Sequence, residues 1–139
     1  MDHFQIHAQL LADCHRLGRF DFCHVLLNKN AALPWFILVP ETSATDLLEL
    51  SVEQRNAALN EAAALARFVK QELGYPKVNF AAIGNVVPQL HLHVVGRKPQ
   101  DICWPAPVWG HLGDGPAYPA ARLADWVDAL VRDYSLRRP

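Results

Sequence analysis

A chain of 139 residues has room for one domain with a real core, and not for two of ordinary size. Hydrophobic residues make up 51% and charged residues 19%, which marks a globular chain rather than a disordered one. The formal net charge is -1 with no basic run, which argues against an electrostatic nucleic-acid binder, and no apolar stretch is long enough to span a bilayer.

The N-terminus, with Asp2, His3, Gln5 and His7, lacks the apolar region of a secretory signal. Cys14, Cys23 and Cys103 are odd in number and widely spaced. They suit neither a disulfide framework nor the close pairs of a structural zinc site. Buried, reduced thiols in a cytoplasmic protein are expected.

From about Gln5 to Leu17, the helical spacing of Ile6, Leu10, Cys14 and Leu17 predicts a helix, with Gly18 as its stop. His24 to Asn28 reads as a strand. A turn through Lys29 to Pro34 returns the chain as a second strand, Trp35 to Val39, in an antiparallel hairpin. Ser51-Val52-Glu53-Gln54 fits a capping box that opens a helix with Ala58, Ala62, Leu65, Ala66, Val69 and Leu73 along one stripe, closed by Gly74 and Pro76. Val78 to Ile83 and Leu90 to Val95 are further strands, the second ended by Gly96. Residues 99–119 hold five of the ten prolines and two of the four tryptophans, and so form an irregular apolar segment. A last helix starts at Pro119 and carries Leu123, Trp126, Val127, Leu130 and Val131 on one face. Strands that pair locally, with helices between them, give a single α+β domain over residues 1–139. Its core is an antiparallel sheet with a long helix packed on it and a C-terminal helix.

Strand alternation places Gln89, His91, His93 and Val95 on one face of the 89–95 segment, and Leu90, Leu92 and Val94 on the other. The second set belongs in the core. The first sets two imidazoles and an amide side by side, where they need partners or a pocket. A neutral His91 attacks phosphorus through one ring nitrogen while the other donates to an acceptor and fixes the tautomer. His93 then holds the geometry or polarises a phosphate oxygen, and the amides of Gln89 and Asn85 donate to oxygens that gain charge. A His-x-His pair alone is weak evidence, and two satisfied histidines at a strand edge are the better reading of the pair by itself. Trp104 and Trp109 either cover this site or pack the proline-rich segment. Arg97 either meets phosphate or is solvated at the strand end. His3, His7, His15, His24 and His111 read as surface or structural groups.

The run Gly84-Asn85-Val86-Val87-Pro88-Gln89-Leu90-His91-Leu92-His93-Val94-Val95 resembles the signature of the histidine-triad (HIT) family. That signature is Gly-Gln-Ser/Thr-Val-x and then three histidines alternating with apolar residues. The hairpin from Leu26-Leu27-Asn28-Lys29 to Phe36-Ile37-Leu38-Val39-Pro40 has the family's spacing, and Trp104 to Gly110 is similar to an element of a bacterial branch. The resemblance covers about residues 20–110. It implies a homodimer whose two sheets join into one, with a purine nucleotide or nucleotide conjugate at each site. His91 is then the nucleophile at the α-phosphorus and forms a nucleotidyl-histidine, His93 is the third histidine, and Asn28 meets the ribose hydroxyls. Leu27, Asn85 and Trp104 stand beside it as nucleotide-binding positions. No cofactor is implied, and no metal in most of the family. The implied activity is hydrolysis or transfer on a nucleoside phosphoramidate or dinucleoside polyphosphate. Gln89 stands in place of the first histidine, Val86 in place of Ser/Thr, and Trp35-Phe36 in place of Gly-His. These departures leave a catalytically weak nucleotide-binding or sensor protein as the alternative. A metal site on His91 and His93 is a third reading, and it would need ligands from elsewhere.

Overall fold

A computed structural model describes residues 3–139, so Asp2 lies outside it. Five strands, β1 (Cys14–Arg19), β2 (Cys23–Asn28), β3 (Trp35–Pro40), β4 (Lys77–Ala81) and β5 (Leu92–Arg97), form one antiparallel sheet in the order β1-β2-β3-β5-β4. The helices are a short α1 (Ala8–Asp13), a long α2 (Val52–Arg67) and a C-terminal α3 (Ala120–Tyr134). The expected α+β architecture is therefore present. No described helix is long and apolar enough to cross a membrane.

Ser51 caps α2, its hydroxyl accepting from the Gln54 amide at 3.1 Å, the first half of the expected capping box. Ala58, Ala62 and Leu65 are buried, and a wider turn at Phe68–Glu72 keeps Phe68 and Val69 in the core as well. These side chains meet Val25, Leu27, Phe36, Leu38, Leu92 and Val94 from one face of the sheet, joined by Leu130 of α3. Each large apolar side chain buried there contributes about 1.5–3 kcal/mol. α3 follows Pro119, which stands just before its first turn, and Trp126 packs beside Phe36 and Phe68.

The opposite face carries Leu26, Ile37 and Val39 and is only partly covered. Ile6 and Leu10 close it near β2 and β3, while Val108 of the proline-rich segment closes it near Val95. The uncovered remainder is the space in which the histidines sit.

Three local expectations are corrected. The helix expected to run to Leu17 ends at Asp13, and the chain continues as β1. Cys14 packs with Ile6 and Leu10 while Leu17 packs on the α2 side, so the two residues serve opposite faces of a strand. Gly18 stops nothing: it sits inside β1, where the register shifts between Arg16 and Gly18. Gly96 does not end β5, which runs on to Arg97, because a side chain at 96 would collide with Pro34 and Val69. Arg97 neither meets phosphate nor lies in solvent: it is 1% exposed and bonded to Asp101, Asn79 and the Ala106 carbonyl.

Candidate active site

Two histidines share a cavity because β5 begins one residue after His91. His91 and His93 are 7% and 6% exposed, and their rings meet edge to face with centroids 4.9 Å apart. His91 Nδ1 lies 2.7 Å from the Gln89 backbone carbonyl. A carbonyl only accepts, so Nδ1 carries the proton and Nε2 keeps its lone pair. That Nε2 has no hydrogen-bond partner among the described residues, yet it is not sealed off: the one sealed side-chain polar atom without a partner there is Trp109 Nε1. A bare, reachable ring nitrogen of fixed tautomer is what a nucleophilic imidazole requires.

His93 has the opposite tautomer. The indole N–H of Trp35 donates to His93 Nδ1 at 3.0 Å, which leaves the ring proton on Nε2. Burial, and then the nearby charge of His91, pull the His93 pKa from its ordinary 6.5 to about 4, so this ring is neutral at pH 7. Trp109 packs edge-on against both His93 and Trp35, at 5.2 and 6.0 Å between centroids.

Around these rings lies a cavity of about 380 Å³. Its walls are Gln9, Leu10 and Asp13 of α1, Asn28 at the end of β2, Trp35 and Ile37 of β3, residues 83–87, and Trp109. Asn28 Oδ1 accepts from the Asn30 amide at 2.9 Å, and its side-chain N–H groups take no bond among the described residues. A second hollow of about 410 Å³ reaches His91 from the other side, between residues 45–49 and Ala82, Ile83, Gly84 and Leu90. A larger one of about 560 Å³, between α2 and the end of α3, is lined by carboxylates and by the hydroxyls of Tyr134 and Ser135 but by no imidazole or thiol.

Of the positions picked from sequence, the structure gathers His91, His93, Asn28 and Asn85 around one cavity. It separates three others. Leu27 points to the opposite face and is buried against α2, because it alternates with Asn28 along β2. Trp104 lies over the Arg97 guanidinium at 5.6 Å and does not line the cavity; Trp109 does. Gln89 is not on a strand. Its side chain accepts from the His7 amide at 2.8 Å and donates to the Gln5 carbonyl at 2.9 Å, so it fastens the N-terminal segment and only its carbonyl serves His91.

Trp35, which in the sequence marks only a departure from the family's Gly-His, is the residue that bonds His93. Ile37 pairs with His93 and Trp35 with Val95, so Trp35 and His93 are diagonal neighbours on one face. Pairing the two strands on paper would have found the contact.

Residues 9–100 match the HIT domain family. A histidine-triad protein from Marinobacter aquaeolei VT8 is similar in structure at a TM-score of 0.87 and 40% identity, over 96% of this chain and 98% of that one. Histidine-triad proteins from Sinorhizobium meliloti 1021 and Bradyrhizobium japonicum follow at TM-scores of 0.87 and 0.86, with 30% and 33% identity. They cover 94% and 93% of this chain, and 96% of each of those chains. No curated protein matches the sequence. With the family match spanning most of the chain and the paired imidazoles in the same segment, this protein belongs to the histidine-triad family.

Proposed function

We propose that the protein is a nucleotidyl hydrolase or transferase that acts through His91. The family is in general one of nucleotide-binding hydrolases and transferases. The observation that carries the reading is the His91 Nδ1–H bond to the Gln89 carbonyl, which leaves Nε2 bare where two hollows meet. Nε2 attacks the α-phosphorus as the bond to the leaving group breaks, and that group departs with the electron pair and takes up a proton from solvent. The positive imidazole of the nucleotidyl-histidine is eased by the same carbonyl, and water then releases the nucleotide. Asn28 offers N–H groups to the ribose, and Asn85 borders the phosphate.

Neither hollow is lined by a lysine or arginine, whereas Asp13, Asp46 and Glu49 border them. A chain of four phosphates would meet carboxylates and no cation. A single phosphoryl group with an amine leaving group avoids that repulsion, which favours a nucleoside phosphoramidate. The apolar hollow beside the edge strand β4, with Phe80 at 43% exposure, suits the homodimer implied by the resemblance.

The test is AMP release from adenosine phosphoramidate and from diadenosine tetraphosphate, beside a His91→Ala control. Release from the phosphoramidate that falls at least about 10³-fold in the control supports the reading. AMP binding by calorimetry with no release from either compound would replace it with a nucleotide-binding protein.

A further inference from the structure

We infer that Trp35 is a positioning residue for the reaction: its indole N–H holds His93 in the tautomer that presents Nε2–H to the phosphoryl group. The inference rests on the proposed chemistry for its effect on turnover, but not for its structural half.

Indole nitrogen can donate and never accept, so the 3.0 Å contact from Trp35 Nε1 to His93 Nδ1 has one possible direction. A serine, a water or another histidine at this place would tolerate either tautomer, and Trp35 does not. His93 Nε2–H then has no acceptor among the described residues and is not sealed from the cavity.

His93 is 6% exposed, with Trp35 and Trp109 against it and His91 as its one titratable ring neighbour. Asp13 also lines the cavity, but its carboxylate is engaged by Gln9 at 3.0 and 3.1 Å. With no other partner for either ring nitrogen among the described residues, the Trp35 bond decides which nitrogen bears hydrogen. In the other tautomer a lone pair would face a phosphoryl oxygen that gains negative charge, and a donor would become a source of repulsion.

His91 is held Nδ1–H by a pure acceptor and His93 is held Nε2–H by a pure donor. Adjacent rings with opposite tautomers give the cavity one nucleophile and one proton-bearing neighbour. Two rings of the same tautomer would give two lone pairs or two donors.

The test uses the full chain with ¹⁵N-labelled histidine. Long-range ¹H–¹⁵N spectra at pH 7 assign the tautomer of His93 with no substrate present. Nε2–H is expected in the wild type. Trp35→Phe, which keeps an aromatic ring but removes the donor, is expected to change the His93 tautomer ratio by about two- to tenfold. Replacement of Trp35 by 3-benzothienylalanine, which keeps the indole shape without the N–H, should reproduce that change and controls for folding. On adenosine phosphoramidate, both variants are expected to lower kcat about three- to tenfold with KM changed less than twofold. A wild-type His93 protonated on Nδ1 would overturn the inference, as would a benzothienyl variant with unchanged spectrum and unchanged kcat. A wild type that shows the expected tautomer but turns over no substrate would defeat the functional reading instead.

Discussion

Replacing Asp101 by asparagine removes one charge from a buried pair and keeps the side-chain shape. Arg97 and Asp101 are each 1% exposed, with Arg97 Nε 2.8 Å from Asp101 Oδ2 and Nη2 3.2 Å from Oδ1. The carboxylate also accepts from the backbone amides of Lys98 and Cys103, each at 3.1 Å. Burial alone would raise its pKa, but the Arg97 hydrogen bonds, the two amides and the Arg97 charge outweigh that and hold it at about 2 against an ordinary 3.8. The gap corresponds to roughly 2.5 kcal/mol of stability, present above pH 4 and lost as the pH falls toward 2. Asparagine offers one acceptor oxygen, and its amide nitrogen faces N–H donors, while Arg97 stays buried with its charge unmatched. A loss of about 3 kcal/mol at pH 7 is expected, the low end of what breaking a buried pair costs. Urea unfolding of both proteins from pH 7 to pH 2 measures it. The difference should be largest at pH 7 and shrink below pH 4. A loss under about 1 kcal/mol at neutral pH, or a difference that ignores pH, would refute the reasoning.

Two further outcomes are expected. His93, neutral in the fold and titrating at about 4, makes stability complete above pH 6.5 and withdraws about 3 kcal/mol as the pH drops toward 4, since the unfolded chain takes up the proton first. Urea midpoints across that range should slope for the wild type and flatten for His93→Gln. At Gly18, φ is +151° and an added Cβ would fall on the Arg137 carbonyl oxygen, in the C-terminal bridge where Arg19 and Arg137 exchange backbone bonds of 2.8 and 2.9 Å. Gly18→Ala should cost about 2–3 kcal/mol. Deleting residues 137–139 should remove the clash with the Arg137 carbonyl but leave the backbone strain, so the double variant should lose less than the sum, and fully additive losses would contradict the geometry.

Much of the frame was legible because its signals are local. The Ser51 cap, the β2–β3 hairpin and the apolar stripe of α2 each depend on residues within a few positions of one another. What stayed hidden depends on distant partners. Cys14 and Leu17 fit helical spacing as well as they fit a bulged strand, and only pairing with β2 decides between them. Alternation was extended through Gln89 as though the strand had already begun, but β5 starts at Leu92, so the rule did not apply. Arg97 looked like a solvated strand end although Asp101 lies only four residues on, because the turn that folds Asp101 back and the Asn79 contact from the neighbouring strand carry no sequence signal of their own. At the site, His91 and His93 could be read from their spacing, whereas their tautomers came from a backbone carbonyl and an indole that composition does not reveal.

Gln89 ties two parts of the site into one mechanism of exchange. Its side chain grips the backbone of Gln5 and His7, and the His7 ring in turn accepts from the Gln9 amide at the start of α1, the helix that walls the cavity. Its backbone carbonyl, on the same residue, orients the His91 ring. Any peeling back of the N-terminal segment to admit or discharge a nucleoside would pull on that carbonyl and loosen the ring. An open cavity would then hold a poorly aimed imidazole, and a shut one a well-aimed imidazole. The wall of the cavity and the aim of the His91 ring therefore hang on one residue.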